Sequence, residues 1–310
     1  MNKPAKLLQQ RLNPLNDFLF YKIMGEKGDE VQLLGFINAV LGKTGDDRFT
    51  SVEIIENKSF TPKVIGDKSS TLDVRAILHG KTKVNIEVQV RNQHNMDQRS
   101  LFYWSKEYAE SLEEGQDYRE LPNVIAINIV DFDYPPARNF HTRFHLREDS
   151  DRDLILTDAL EIHFINMVKY RKQAKKGEMD DPLSRWMAWL NAKSPPELLA
   201  EVVKMDSAIQ MADERMVYVT GDKEAIRAYE RRQMALSDYN SAINYARDEG
   251  HRKGITEGIK KGMTEGMTKG RQESTLEIAQ KMKAMGDSIE KIHTITGLPI
   301  ETIEQLSNNN

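Results

Sequence analysis

The spacing of hydrophobic residues changes several times along this chain, and each change marks a new kind of element. "NDFLFYKIMG" reads as an apolar helix opened by Asn16 or Asp17 as its cap, and "EVQLLGFINAVLG" as a second helix stopped by Gly42. Period two then takes over. "SVEIIENKSF" predicts a strand, and "TLDVRAILHGKTKVNIEVQV" predicts two strands joined across His79, Gly80 and Lys81 as a hairpin. "DQRSLFYWSKEYAESL" returns to helical spacing through Leu101, Trp104, Tyr108 and Leu112. "VIAINIVDF" is nearly continuously apolar, as in a strand buried on both faces. "HTRFHLRE" and "ALEIHFINMV" add one or two further strands. This order predicts a mixed α/β sandwich.

After about residue 180 the pattern is helical only. "DPLSRWMAWLN", "PPELLAEVVKM" and "KEAIRAYERRQMALSDYNSAINYARDEG" carry apolar stripes, with Pro182, Pro195 and Pro196 at helix starts. A repeat follows, with glycine at 250, 254, 258, 262, 266 and 270. Glu249, Lys253, Glu257, Lys261, Glu265 and Lys269 alternate in sign just before them. Glu–Lys pairs at this spacing return ~0.2–0.5 kcal/mol each, whereas each glycine costs ~1 kcal/mol relative to alanine. A lone helix here is marginal. Two readings stand: a flexible charged linker, or a helix whose glycines admit a close partner against Ile255, Ile259, Met263 and Met267. A four-residue period drifts ~40° per step on a helix, so one straight partner cannot cover the whole stripe. The last segment predicts three short helices, separated by Gly286 and by Gly297-Leu298-Pro299. Its end suits a helix-turn-helix, a helical cap or an oligomer contact.

Composition narrows the chemistry. With no cysteine there is no disulfide, thiolate nucleophile or Cys-based zinc site. The start has no apolar signal region and no run approaches ~20 apolar residues, so the expected setting is the cytoplasm, without a membrane. The net charge of -4 excludes a broadly basic nucleic-acid binder. A local field remains, because residues 52 to 99 hold eight Lys or Arg against six acids.

The hairpin carries the strongest chemical signal. In "VNIEVQVRNQ" the residues Val84, Ile86, Val88 and Val90 form an apolar face, yet the other face lines up Asn85, Glu87 and Gln89. Folding about Gly80 sets Asp73 opposite Glu87 or Val88. The two carboxylates then lie ~4.5–8 Å apart between Cβ atoms. Such a pair needs a proton, a cation or full solvation. Two carboxylates with water suit Mg²⁺ or Mn²⁺, hard cations that keep several waters. Gln89 shares the face and could orient a water or touch a phosphate. Arg75, on the face of Asp73, is a candidate phosphate contact. The plain alternative is two acids on a wet sheet.

"LDV", a short hairpin and "NIEVQV" resemble the core of the PD-(D/E)XK nucleases. The ordered set "LNPLNDFLFYKIMG", "IEVQV…QRSLFYWSKEYAESLEEGQDY", "LPNVIAINIVDFDY" and the glycine tail resembles the Rpn family, recombination-promoting nucleases often labelled transposases. The resemblance covers residues 13 to about 170, and the tail loosely. It implies a restriction-endonuclease-like mixed sheet flanked by helices, followed by an all-helical C-terminal region. It implies a nuclease domain over 1–175, a helical module over 176–247, the glycine repeat over 248–272 and a small helical segment over 273–310. It implies Asp73 and Glu87 as metal ligands, with Gln89 in the place of the usual lysine. Asp17 matches an acid such cores often add, or is simply a helix cap. Arg99 and Tyr103 match the helix after the motif, as phosphate contacts or as packing. Leu72 stands where proline is common, a variable position. Gln89 removes a cation that would stabilise developing charge.

The activity so implied is metal-assisted hydrolysis of DNA phosphodiesters, linked to recombination, DNA mobility or defence, in a homo-oligomer joined through its helical tail. The rival is a catalytically inactive DNA-binding or assembly protein. Elsewhere, His141 and His145 lie ~13 Å apart along a strand, too far to share a ligand. His163 reads as core, as do Trp186 and Trp189. No P-loop, GxGxxG or GxSxG is present.

Overall fold

A computed structural model describes residues 11–55, 73–173 and 179–306. The second half of the expected strand "SVEIIENKSF", the position of Leu72, and Lys58, Lys63 and Lys68 lie outside the described residues. The chain divides into two compact units, Met1–Leu236 and Ser237–Asn310. The expected division at 175 falls inside the first unit and the one at 247 inside the second.

The first unit opens with α1 (Asp17–Met24) and α2 (Glu30–Leu41). Asn16 caps α1, its side chain accepting from Leu19 N at 3.2 Å. Strands β1 (Val52–Ile55), β2 (Val74–Leu78) and β3 (Thr82–Gln89) follow, then α3 (Met96–Ala109) and β4 (Val124–Val130). β5 (His141–Phe144) and β6 (Leu160–Asn166) complete a six-stranded sheet in the order β1-β2-β3-β4-β6-β5. β1, β2 and β3 are antiparallel neighbours, β3, β4 and β6 run parallel, and β5 is an antiparallel edge. The helix α3 is the crossover that two parallel neighbours, β3 and β4, require. At the hairpin, His79 and Gly80 take φ of 47° and 70°. A tight turn between twisted strands needs that left-handed backbone, which glycine adopts without cost. His79 is held there by Thr50 N, which donates to its Nε2 at 3.0 Å.

The helices α4 (Met167–Gln173), α5 (Pro182–Leu190), α6 (Pro196–Met205) and α7 (Ser207–Gly221) come next, and α8 runs from Lys223 to Ala284. α4 follows β6 without a break, so the strand expected over "ALEIHFINMV" ends at Asn166. α5 starts as its sequence predicts, with Pro182 in the first turn and Asp181 accepting from Ser184 N at 2.9 Å. α7 was not anticipated, although Asp206 caps it and Ile209, Ala212, Met216 and Val219 are buried at helical spacing.

One face of the sheet, through Val74, Ala76, Val84, Ile86, Val88, Ile125, Ile127 and Ile129, packs with α1, α2, α5 and α7 into a single core. Trp186 and Trp189 sit fully buried within it. The opposite face makes a smaller core, Ala126, Val130, Leu160, Ile162 and Phe164 with Met96. β4 is buried along its whole length, as its sequence predicts. The fold is thus the mixed sheet flanked by helices, with a long helical C-terminal region.

The second unit holds the rest of α8, α9 (Ile289–Thr296) and α10 (Ile300–Gln305). Ala279, Ile292 and Ile303 form its small core. Lys283 Nζ donates to the carbonyls of Ile303, Glu304 and Leu306 at 2.8–2.9 Å, closing the end of α10. The glycine repeat is continuous helix within α8. Among the described residues no helix is long and apolar enough to cross a membrane.

Gly35 on α2 tests the packing. A Cβ there would lie 2.3 Å from the Ala208 Cβ on α7. Alanine ordinarily stabilises a helix interior relative to glycine by ~1 kcal/mol. Here the helices must separate, and overpacking of this kind costs ~1–3 kcal/mol. Gly35→Ala is expected to lower the urea midpoint; an unchanged or raised midpoint would show that α7 yields freely.

Candidate active site

The polar face of β3 is covered, not wet. Glu87 is 2 % exposed, and Asn85 and Gln89 are each 9 % exposed. The cover is α3, which meets the sheet mainly through polar groups. Arg99 Nε donates to Glu87 Oε1 at 2.6 Å. The Ser100 hydroxyl is 3.0 Å from Asn128 Oδ1 on the neighbouring strand β4. Trp104 Nε1 donates to the Val124 carbonyl at 3.0 Å. Glu107 is clamped by Arg75 at 2.5 Å and Lys83 at 3.4 Å. Arg99, Tyr103 and Glu107 are spaced by four and so share a helix face.

The helix forms where the spacing predicts it, but its apolar positions do not make its main contact with the sheet. Leu101 and Phe102 are 49 % and 62 % exposed, and Leu112 lies beyond the helix. Trp104 and Tyr108 stack on each other with centroids 5.1 Å apart. The physical reason is the strand beneath: a sheet face bearing Glu87, Asn85 and Asn128 selects a polar helix face, because buried polar groups must find partners.

The hairpin register pairs Val74 with Ile86 and Arg75 with Asn85. One step further sets Asp73 against Glu87, the first of the two registers the sequence allowed. Asp73 is held well above its usual carboxylate range, by burial first and by the Glu87 charge second. Arg99 and Arg75 oppose that rise, and Asp17 adds to it. Glu87 is also raised, by burial, with Arg99 opposing. The two acids resist joint ionisation. Arg99 lies over the Tyr103 ring at 4.9 Å, and burial raises the Tyr103 hydroxyl in turn.

Asp17 is the first residue of α1, and the cap is Asn16. One Asp17 oxygen accepts from Phe18 N at 2.9 Å, and the other is 3.7 Å from Arg232 Nε on α8. Gln89 ends β3 and its amide donates to the Arg91 carbonyl at 3.2 Å. Arg75, a candidate phosphate contact, is engaged by Glu107 in this structure. Ser100, Glu107, Asn128 and Arg232 were not foreseen. Asn128 had a signal, a lone amide inside the apolar run "VIAINIV".

The donor set suits a hard divalent cation. Asp73 and Glu87 offer carboxylate oxygens only, and their mutual repulsion is what such an ion relieves. Asn85 Oδ1, two residues before Glu87, is shielded and without a hydrogen-bond partner. Among the described residues no group of three or more His, Asp or Glu side chains converges on one metal position. Water and substrate would supply the remaining ligands, the usual habit of Mg²⁺.

A second polar cluster lies on the other sheet face. His141 and His163 are 2.8 Å apart between ring nitrogens, and His163 is 2.8 Å from Glu161. Burial first, then His163, pushes His141 down to about 4. Strand pairing joins His141 to His163, which spacing along one strand could not reveal, and His145 Nε2 lies 4.0 Å from the same Glu161 oxygen.

A family model described as PD-(D/E)XK nuclease family transposase matches residues 14–246. Neither the curated proteins nor the solved structures provide a match.

Asp73 makes a pH dependence. Its pKa in the fold, about 8, exceeds its ordinary value of 3.8. Between those values the folded state holds more protons than the unfolded chain, so stability falls as pH rises through the window. Asp29, raised to about 7 mainly by burial, acts in the same sense. In metal-free buffer the melting temperature is expected to drop from pH 5 to pH 8, and Asp73→Asn should flatten the slope. An equal slope in that variant would show that Asp73 is ionised throughout.

Proposed function

The chain belongs to the PD-(D/E)XK nuclease family of transposases, and from that premise we propose that it is a divalent-metal-dependent DNA endonuclease. The observation that carries this reading is the opposition of Asp73 and Glu87 on a buried polar face, roofed by Arg99. Asp73 and Glu87 would hold Mg²⁺ or Mn²⁺. When bound, the ion polarises the phosphate and lowers the pKa of an attacking water. Arg99, stacked on Tyr103, favours the ionised form of Glu87 against burial and would offer N–H groups toward a phosphate oxygen. Gln89 orients a water or a phosphate through its amide. Serving recombination, DNA mobility or defence against foreign DNA, such an enzyme would work in the cytoplasm.

A catalytically inactive DNA-binding or assembly protein is the second reading. It is favoured by Gln89, which lacks the cation usual at that position, and by Arg99, which already neutralises Glu87.

Plasmid nicking by the purified protein in Mg²⁺ separates the two. Asp73→Ala and Glu87→Ala are both expected to abolish nicking. Their melts should differ: Asp73→Ala relieves repulsion and matches or exceeds wild type, whereas Glu87→Ala strands the half-buried Arg99 and lowers the midpoint. Gln89→Lys should retain or raise activity. Full nicking by either alanine variant would remove the metal reading.

We also propose that chains associate through α8. Ile255, Ile259, Met263 and Met267 are 49–69 % exposed. A Cβ at any of the six repeat glycines would meet nothing within 4 Å. The helix lacks the contacts that would offset its glycines, and a second copy could supply them. Deleting 249–310 should lower the mass seen by light scattering; a monomeric full chain at tens of micromolar would end this proposal.

A further inference from the structure

Arg232 lies on α8, in the helical segment that precedes the glycine repeat. Its side chain is 11 % exposed, with Nε 3.7 Å from Asp17 Oδ2. One turn earlier, the Tyr229 hydroxyl accepts a hydrogen bond from Asn13 N at 3.1 Å. Ala228 is buried in the main core, and Ala225 and Tyr229 pack against it. The first turns of α8 are thereby fixed against the loop and the helix that carry Asp17. The other Asp17 oxygen accepts from Phe18 N, so one oxygen is hydrogen-bonded and the other is ion-paired with Arg232. The Asp17 charge adds to the rise at Asp73, and Arg91 is a second cation acting on Asp17.

We infer that Arg232 is a positioning residue of the nuclease centre: acting through Asp17, it fixes that carboxylate beside Asp73 and offsets its charge. A helix outside the Asp73–Glu87 hairpin thus completes the centre, and it is the helix that also bears the glycine repeat. The effect on cleavage rests on the nuclease reading. The effect on metal affinity does not require cleavage and is read without it.

The test is a double-mutant cycle of Arg232→Gln with Asp17→Asn in the full chain, since a coupling term isolates a pairwise role. Mn²⁺ affinity is read by calorimetry, and single-turnover nicking and DNA affinity are read in parallel. Removing Arg232 leaves Asp17 unbalanced, so Mn²⁺ is expected to bind about 3–10-fold more tightly. Nicking should slow by about tenfold or more, with DNA affinity within about twofold, because the carboxylate is no longer held. On the Asp17→Asn background Arg232→Gln should change neither quantity, and Arg232→Lys should restore both. A thermal melt checks that each variant folds. Unaltered Mn²⁺ affinity, an effect that persists without Asp17, faster nicking, or a large loss of DNA affinity would each overturn the inference. If wild type fails to nick, or Asp73→Ala nicks equally, the nuclease reading falls, and the Mn²⁺ cycle still decides the role of Arg232. Failure of wild type to bind Mn²⁺ counts against both.

Discussion

Two carboxylates set against each other on adjacent strands, out of water, are the constraint around which the first unit is arranged. Like charges so placed raise each other's pKa and cost stability unless something answers them. The answer here is Arg99, donating to Glu87 at 2.6 Å. Arg99 can reach only if α3 lies across β3. α3 lies there because the β3–β4 pair is parallel and demands a crossover. Ser100, Trp104 and Glu107 then fix its height and rotation over the sheet through Asn128, the Val124 carbonyl and the Arg75–Lys83 pair. These contacts are polar and directional, so they set the angle of the helix more sharply than an apolar contact would.

The two sheet faces divide the work. The face toward α1, α2, α5 and α7 is mostly apolar, apart from the His141–His163–Glu161 cluster near its edge, and supplies the main hydrophobic stabilisation. That core includes helices from well beyond the sheet in sequence, with Gly35 allowing α2 and α7 to meet closely. The opposite face can then carry charge at Asp73, Arg75, Glu87 and Glu107. A site that costs stability is tolerable on one side of a sheet when the other side is well packed.

The elements were largely legible because their periods are clean. The hairpin turn, the alternation in β3, the unbroken apolar run of β4 and the proline starts of α5 and α6 each act locally, and the structure follows them. What failed was non-local. The segment through Leu101 is helical as its spacing predicts, but helix periodicity alone does not say that the surface beneath is polar. α7 escaped notice because its buried positions include small alanines rather than a strong apolar stripe. Of the site, Asp73, Glu87 and Arg99 come together, while Arg75 turns to Glu107. Arg232 had no local signal at all, since its partner Asp17 is over two hundred residues away. The His141–His163 contact arises from strand pairing, which a single-strand reading cannot see.

The charges at the site explain why glutamine at position 89 is compatible with the fold. A lysine there would add a flexible cation to a face where Arg99 already answers Glu87 and Arg232 already faces Asp17. Asp73 is the carboxylate whose balance is least complete, since burial and Glu87 outweigh the help of Arg99 and Arg75. Position 89 needs no cation of its own to balance Glu87, because Arg99 reaches that carboxylate from α3 and is itself ordered over the Tyr103 ring.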